Sequence, residues 1–138
     1  MATIEHSEIV NAPPEKVFEL LRRVEDFAEY SDLIRSIDVL GENRYRWHVR
    51  AVGMDWAFDV MVTDIEPPHV LAWESLDGVK NQGRYRLREV PEGTEVALTL
   101  SYEIRNRLME KAVNKAAKPL VGKVSRQILD RVEARLNG

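Results

Sequence analysis

Few side chains in this sequence have the types and spacing that acid–base, nucleophilic or metal chemistry requires. The chain has three histidines and no cysteine, which excludes disulfides, thiolate metal sites and thiol nucleophiles. His69 and Ser75 lie on or beside one predicted strand, about 20 Å apart at the usual rise, which is too far for a nucleophile and its base. His6 and Glu8 share a face of the first strand, but a metal ion there would need at least one more protein ligand. We therefore predict no metal site.

Three hydroxyl groups are the remaining candidates for chemistry. Ser75, Tyr85 and Tyr102 all fall on the predicted apolar face of the central strands. Buried hydroxyls need hydrogen-bond partners, and backbone or water could supply them. Alternatively, the three groups orient a ligand in an apolar pocket or act on it as acids or bases. Both interpretations stay open, and these residues are our candidates for catalysis.

Alternation of apolar and polar residues predicts strands through the middle of the chain. In residues 44–51 every second residue is apolar, and the others are arginine or histidine. The same kind of pattern predicts strands at 2–11, 36–41, 55–62, 71–75, 83–88 and 96–104. Short turns such as Glu92-Gly93 separate them, which is typical of hairpins in an antiparallel meander.

Helices are predicted on both sides of the strands. Pro13-Pro14 opens a short helix, and a second helical piece is expected over residues 27–34. A long helix should run from near Leu108 almost to Gly138, with an apolar stripe at four-residue steps: Leu108, Ala112, Ala116, Leu120, Val124, Ile128 and Val132. Pro119 should bend or break it, because an internal proline costs about 3 kcal/mol. The bend either fits the helix to a twisted sheet or acts as a hinge at an entrance.

The composition is typical of a single folded domain that spans residues 1–138. Hydrophobic residues make up 44% of the chain and charged residues 31%, as in ordinary globular proteins. No apolar stretch approaches the roughly 20 residues of a membrane span, and no secretory signal is visible. We expect a cytoplasmic location.

The net charge of −3 conceals an uneven distribution. From Arg105 onward there are nine basic and three acidic residues, while the rest of the chain is acidic. A basic helix on an acidic body could contact an anionic membrane or protein, or it could simply be a solvated face. Nucleic acid is not expected, because alternation puts the aromatic residues of 44–47 inside and the arginines outside, whereas a stacking platform needs both on one face.

Several stretches together resemble the START/Bet v 1-like superfamily, in particular its bacterial polyketide cyclase/dehydrase and coenzyme-Q-binding branch. The similar segments are Ile9–Phe18, Asp55–Val60 with Asp64–Pro67, Leu71–Ser75, Asn81–Tyr85 and Gly93–Val96. The resemblance implies an α+β helix-grip fold, in which a curved antiparallel sheet of about seven strands wraps around a long C-terminal helix. The chain departs from the family pattern at Tyr30–Ile34, where a proline is common.

The resemblance also implies an apolar cavity between sheet and helix that binds lipids, isoprenoids, quinones or polyketide-like compounds, with no cofactor. Alternation alone is the same for a cavity and for a filled core. The expected ligand-binding residues are Trp47, Val49, Trp56, Phe58, Val60, Trp73, Ser75, Tyr85, Leu87, Leu98, Leu100, Tyr102, Ala116 and Leu120.

Three functions stay open on the sequence. The first is a non-catalytic carrier or sensor of a hydrophobic small molecule. The second is a cyclase or dehydrase that uses the same cavity. The third is a protein- or ribosome-interaction module that works through the basic C-terminal helix.

Overall fold

The computed structural model describes residues 2–138, which form one antiparallel sheet and three helical segments. The strands are β1 (Ala2–Val10), β2 (Ile34–Gly41), β3 (Arg44–Ala51), β4 (Met54–Glu66), β5 (Val70–Gly78), β6 (Lys80–Val90) and β7 (Gly93–Glu103). Helix α1 spans Pro14–Leu21, a short 3-10 helix spans Val24–Glu29, and helix α2 spans Arg107–Asn137. None of these helices is long and apolar enough to cross a lipid bilayer.

The seven strands lie in the order β1-β7-β6-β5-β4-β3-β2, and every neighbouring pair is antiparallel. Strands β2 to β7 form a meander, and β1 closes the far edge by pairing with β7. The register places apolar residues opposite one another on the inner face, as in Tyr45 with Val60 and Tyr85 with Leu98. A one-residue slip would move all of them to solvent, which is why alternation specifies the pairing. The predicted helix-grip architecture is confirmed.

The segment between β1 and β2 differs from the prediction in its second half. Helix α1 begins at Pro14, where the missing N–H costs nothing, and it buries Val17, Phe18 and Leu21. The next helical piece is a 3-10 helix that starts three residues earlier than expected. Val24 and Phe27, followed by Tyr30, are all buried at three-residue spacing, which suits a helix with 3.0 residues per turn.

Helix α2 begins behind Asn106, whose side chain accepts hydrogen bonds from the backbone N–H groups of Leu108 (3.0 Å) and Met109 (3.3 Å). The helix runs without interruption through Pro119, so of the predicted bend or break, the break does not occur.

The predicted apolar stripe on α2 is wrong at its N-terminal end, where Leu108 is 83% exposed and Ala112 is exposed. Four-residue steps exceed the 3.6 residues of a turn, so a long series of them winds off any one face. The buried face instead consists of Ala117, Ser125, Ile128, Leu129 and Val132.

The C-terminal half of α2 is attached to one side of the molecule. The helix packs chiefly on β1 and α1. Arg135 donates to Tyr30 Oη (2.6 Å) and Asp26 Oδ2 (3.2 Å), and Ser31 Oγ donates to Gln127 Oε1 (2.6 Å). These contacts join α2 to the segment between α1 and β2, while the described strands β2 to β5 have no comparable contact with the helix.

A buried link joins the start of β7 to the connection between β1 and α1. Gly93 has φ +137°, and a Cβ atom there would collide with the carbonyl oxygen of Val10. This close approach lets Thr94 Oγ1, which is fully buried, donate to the carbonyl oxygen of Ala12 at 2.7 Å. The bond therefore fixes the strand edge beside helix α1.

Replacing Thr94 with valine keeps the side-chain shape but leaves a buried carbonyl oxygen without its donor. We expect Thr94→Val to lower the free energy of unfolding by about 1–3 kcal/mol. The matched control is Thr99→Val on the exposed face of the same strand, which should change it by less than about 0.5 kcal/mol. Urea denaturation measures both, and equal effects at the two positions would contradict this account of the link.

Candidate functional site

An apolar cavity of about 230 Å³ lies between the inner face of the sheet and helix α2. Every strand except β1 contributes to its wall, together with the 3-10 helix and α2. Its lining residues are Val24, Phe27, Leu33, Ile34, Trp47, Val49, Phe58, Val60, Val62, Leu71, Trp73, Asn81, Tyr85, Leu98, Leu100, Leu120, Val121, Val124 and Ile128. No acidic or basic side chain is among them.

The cavity exists because α2 is held at one side of the curved sheet. The helix packs on β1 and α1, and the inner faces of β3, β4 and β5 curve away from it. Trp47, Phe58, Val62 and Trp73 remain only partly buried there. Residues that would be core in a flat two-layer packing therefore become the wall of an internal space.

Aromatic side chains form the wall near β3 and β4. The rings of Trp47 and Phe58 stack with centroids 6.0 Å apart, and Phe27 meets Trp47 edge to face at 5.8 Å. Both geometries are favourable for aromatic pairs and fix the rings in place. Trp47 Nε1 is buried and has no hydrogen-bond partner within residues 2–138.

A second aromatic pair lies across β5 and β6. The rings of Trp73 and Tyr85 are 5.6 Å apart. Gly83 lies opposite Trp73 in the strand register, and a Cβ at Gly83 would collide with the indole ring. The glycine therefore leaves room for Trp73 to lie flat on β6, next to Tyr85.

The Tyr85 phenol is the ionisable group in the cavity wall. Burial raises the pKa of Tyr85, and the nearby Ser125 hydroxyl opposes part of that increase. The phenol is therefore neutral across the physiological range. Ser125 Oγ is itself buried, yet it has no partner in hydrogen-bonding geometry in the described part of the chain.

The structure brings together many of the residues expected to bind a ligand and leaves others outside the cavity. Those that line it are Trp47, Val49, Phe58, Val60, Trp73, Tyr85, Leu98, Leu100 and Leu120. Those that do not are Trp56, Ser75, Leu87, Tyr102 and Ala116.

Residues outside the cavity have evident structural roles. Trp56 Nε1 donates to the carbonyl of Ala51 (2.9 Å), which braces the β3–β4 hairpin. Ser75 Oγ accepts from the backbone N–H of Asn81 (3.0 Å) at the β5–β6 turn. Leu87 belongs to the filled core beneath α1. Alternation puts a residue on the inner face but does not say whether that part of the face is filled.

Tyr102 belongs to a separate small cluster with Ile4 and Ala117. Its hydroxyl donates to Asn114 Oδ1 at 2.6 Å. Burial, and next the nearby Glu110 carboxylate, raise the pKa of this phenol. This hydroxyl is therefore hydrogen-bonded to helix α2 and does not face the cavity.

Sequence reasoning missed several members of the wall. The cavity residues of the 3-10 helix and the start of β2 come from a region that was expected to form an ordinary helix. Ser125, which is buried on α2 but does not line the cavity, was missed as well, although a polar residue between Val121, Val124 and Ile128 was a visible signal.

The histidines lie away from the cavity. His6 Nε2 is 3.2 Å from Glu8 Oε1, and Arg126 Nε donates to the same oxygen at 3.1 Å. A guanidinium already neutralises this carboxylate, so the pair is unsuited to a metal ion. His48 contacts Asp38, and His69 lies on an exposed loop.

Charge is arranged differently on the sheet and on α2. The outer-face arginines Arg46, Arg50, Arg84 and Arg88 each pair with a carboxylate on another strand. From Arg105 onward, only Arg126 and Arg135 form ion pairs with other described residues. The other basic residues of this segment make no ion pair there: Arg105, Arg107, Lys111, Lys115, Lys118, Lys123 and Arg131.

Comparison with known proteins identifies the fold and the family. The solved structure of TTHA0849 from Thermus thermophilus is 26% identical, with a TM-score of 0.82 over 97% of this chain and 99% of that one. Zhui aromatase/cyclase from a Streptomyces species is 21% identical (TM-score 0.78; 98% of this chain and 95% of that one). A START superfamily protein from Mycobacterium smegmatis is 15% identical (TM-score 0.77; 96% and 97%).

Among curated proteins, none matches the sequence. The family model described as polyketide cyclase / dehydrase and lipid transport matches residues 1–137. The chain therefore belongs to this family, and it shares its fold with the START superfamily protein and with Ara h 8.0201.

Proposed function

We propose that this protein binds and carries a compact hydrophobic small molecule in the cavity between its sheet and helix α2. The observation that carries the proposal is the cavity itself, about 230 Å³ of space lined by aliphatic and aromatic side chains and one amide, Asn81. Its volume is below the roughly 300–1,000 Å³ of typical ligand pockets. The occupant is therefore a compact lipid, isoprenoid, quinone or polyketide-like molecule, or the compact end of a larger one.

The chemistry of the wall favours a carrier over a cyclase. General acid–base catalysis requires a group whose pKa lies near the working pH. Among the described residues, no carboxylate, histidine or lysine lines the cavity, and burial raises the pKa of Tyr85, which removes it as a base. The phenol can donate a hydrogen bond, and that is a binding role.

Mass spectrometry of the purified protein, first native and then after solvent extraction, tests the proposal. We expect a defined, non-covalently bound small molecule that extraction releases unchanged. If candidate polyketide-like compounds are instead released with a changed mass, the protein is a cyclase or dehydrase and not a carrier.

Filling the cavity should abolish binding without unfolding the protein. Val124 on α2 lines the cavity, and phenylalanine there would occupy free space. We expect Val124→Phe to weaken binding of the neutral fluorescent probe N-phenyl-1-naphthylamine by about tenfold or more. Its melting temperature should be unchanged or higher, because filling a void removes an energetic cost.

The matched control is Ala134→Phe, which adds a larger side chain at an exposed position of the same helix. It should leave probe affinity unchanged. A lower melting temperature for Val124→Phe together with normal probe binding would show that the space is packed core and that the probe binds elsewhere.

We also propose that the N-terminal half of α2 contacts an anionic lipid bilayer. Leu108 is 83% exposed, and the neighbouring Lys111 and Lys115 have no ion-pair partner in the chain from Ala2 to Gly138. An apolar side chain beside free cations suits an interface of acidic headgroups and acyl chains. A bilayer is also where a hydrophobic ligand would be collected or delivered.

Vesicle co-sedimentation tests this contact. We expect binding to phosphatidylcholine vesicles that contain phosphatidylserine and not to phosphatidylcholine alone. The double variant Lys111→Gln/Lys115→Gln should weaken it roughly tenfold or more, at about 1 kcal/mol per lysine. The control Lys123→Gln/Arg131→Gln removes the same charge from the other half of α2. Equal losses of vesicle binding in the two double variants would mean that net charge alone is responsible. If the wild type binds neither kind of vesicle, the lipid contact is wrong and an acidic protein is the partner to test.

A further inference from the structure

Two residues with polar side chains, Tyr85 and Asn81, line the otherwise apolar cavity, and the Asn81 amide already donates to the carbonyl oxygen of Val79 at 2.9 Å. Tyr85 is 3% exposed and lies on β6, where its ring packs against Trp73. Its hydroxyl lies beside Ser125 on α2, and a phenol oxygen can both donate and accept, so it can also bond a second partner. The phenol is thus held rigidly by its ring while its polar end is available to an occupant of the cavity.

Ser125 supplies the second oxygen. It is 2% exposed, lies on the buried face of α2 and is close to the Tyr85 phenol. Its Oγ has no partner within residues 2–138. Buried hydroxyls without partners are costly and uncommon in folded proteins. Ser125 does not itself line the cavity, so it acts on an occupant through the Tyr85 phenol beside it.

We propose that Tyr85 and Ser125 form a polar anchor that binds a neutral carbonyl or hydroxyl oxygen of the ligand. This inference rests on the proposed carrier function. Tyr85, which lines the cavity, makes the contact, and Ser125 positions the phenol from the buried face of α2. Each hydroxyl can donate or accept, so the pair serves a ketone when Tyr85 donates and an alcohol or phenol when Tyr85 accepts.

The same cavity selects against ions. Its described lining has no cation to pair with a carboxylate or phosphate, and no anion to pair with an amine. Burial of an unpaired charge is far more costly than burial of a hydroxyl that gains a partner. The ligand class is therefore neutral, mainly apolar and cyclic or branched enough to be compact, with at least one oxygen on its periphery.

A matched series of two-ring probes tests the polar anchor. Naphthalene, 2-naphthol and 2-naphthoate share one apolar body, and they carry no oxygen, a neutral hydroxyl and an ionised carboxylate at neutral pH. Equilibrium dialysis gives a dissociation constant for each. The quantity of interest is selectivity, the affinity for 2-naphthol divided by that for naphthalene.

We expect Tyr85→Phe to lower this selectivity about tenfold, the scale of one hydrogen bond, while naphthalene affinity stays the same. Ser125→Ala should lower it by a smaller factor, because the phenol remains. Tyr102→Phe is the matched control and should change nothing, since that hydroxyl is bonded to Asn114. In the wild type, 2-naphthoate should bind more than about a hundredfold more weakly than 2-naphthol.

The outcomes separate this inference from the proposed function. Unchanged selectivity in both Tyr85→Phe and Ser125→Ala, with naphthalene still bound, overturns the polar anchor and leaves the carrier intact. Comparable binding of 2-naphthoate overturns the neutral ligand class. If naphthalene and 2-naphthol both fail to bind the wild type, or bind Val124→Phe equally well, the carrier function itself is wrong.

Discussion

The attachment of the C-terminal half of α2 to the segment between β1 and β2 determines the rest of the structure. Leu129 and Val132 are buried in the core beside Val17 and Leu21. Arg135 adds a hydrogen bond to Tyr30 (2.6 Å), and its guanidinium lies 5.9 Å from the centre of that ring. Because the helix is fixed at this side, it cannot also settle onto the inner faces of β3, β4 and β5. The open space over those strands is a geometric consequence of where the helix is held.

An empty apolar space of this size is costly to maintain. At about 24 cal/mol per Å³, leaving 230 Å³ of enclosed space unfilled would cost about 5.5 kcal/mol, a large share of the stability of an ordinary domain. Protein interiors otherwise pack to crystal-like density. A ligand that fills the space recovers much of this free energy, since binding to the native state alone stabilises it. Stability and binding are therefore coupled in this fold.

Sequence reasoning predicted most of the fold and only part of the cavity, and the difference has a physical cause. Period-two alternation fixes which face of a strand a residue occupies, so the meander and its register follow from local pattern. It carries no information on the distance between that face and the helix, so Leu87 in the filled core and Leu98 in the cavity wall look alike. The position of α2 depends on contacts over long sequence separations, such as Ser31 with Gln127. For the same reason, the sequence did not show which face of α2 is buried, nor that Ser125 lies on that face.

The two halves of α2 have opposite chemical surroundings, and Pro119 lies at their junction. Before it, the helix is mostly exposed and carries lysines without an ion pair among the described residues; after it, Leu120, Val121 and Val124 close the cavity. A proline removes one backbone hydrogen bond of the helix. The helix therefore lacks a hydrogen bond at the point where its solvent-facing residues meet its cavity-closing residues. The residues that close the cavity therefore lie between Pro119 and the C-terminal residues that pack beside α1, Leu129 and Val132. The helix also has buried contacts before Pro119, since Ala117 packs with Ile4 and Tyr102, so it is held to the sheet on both sides of the missing hydrogen bond.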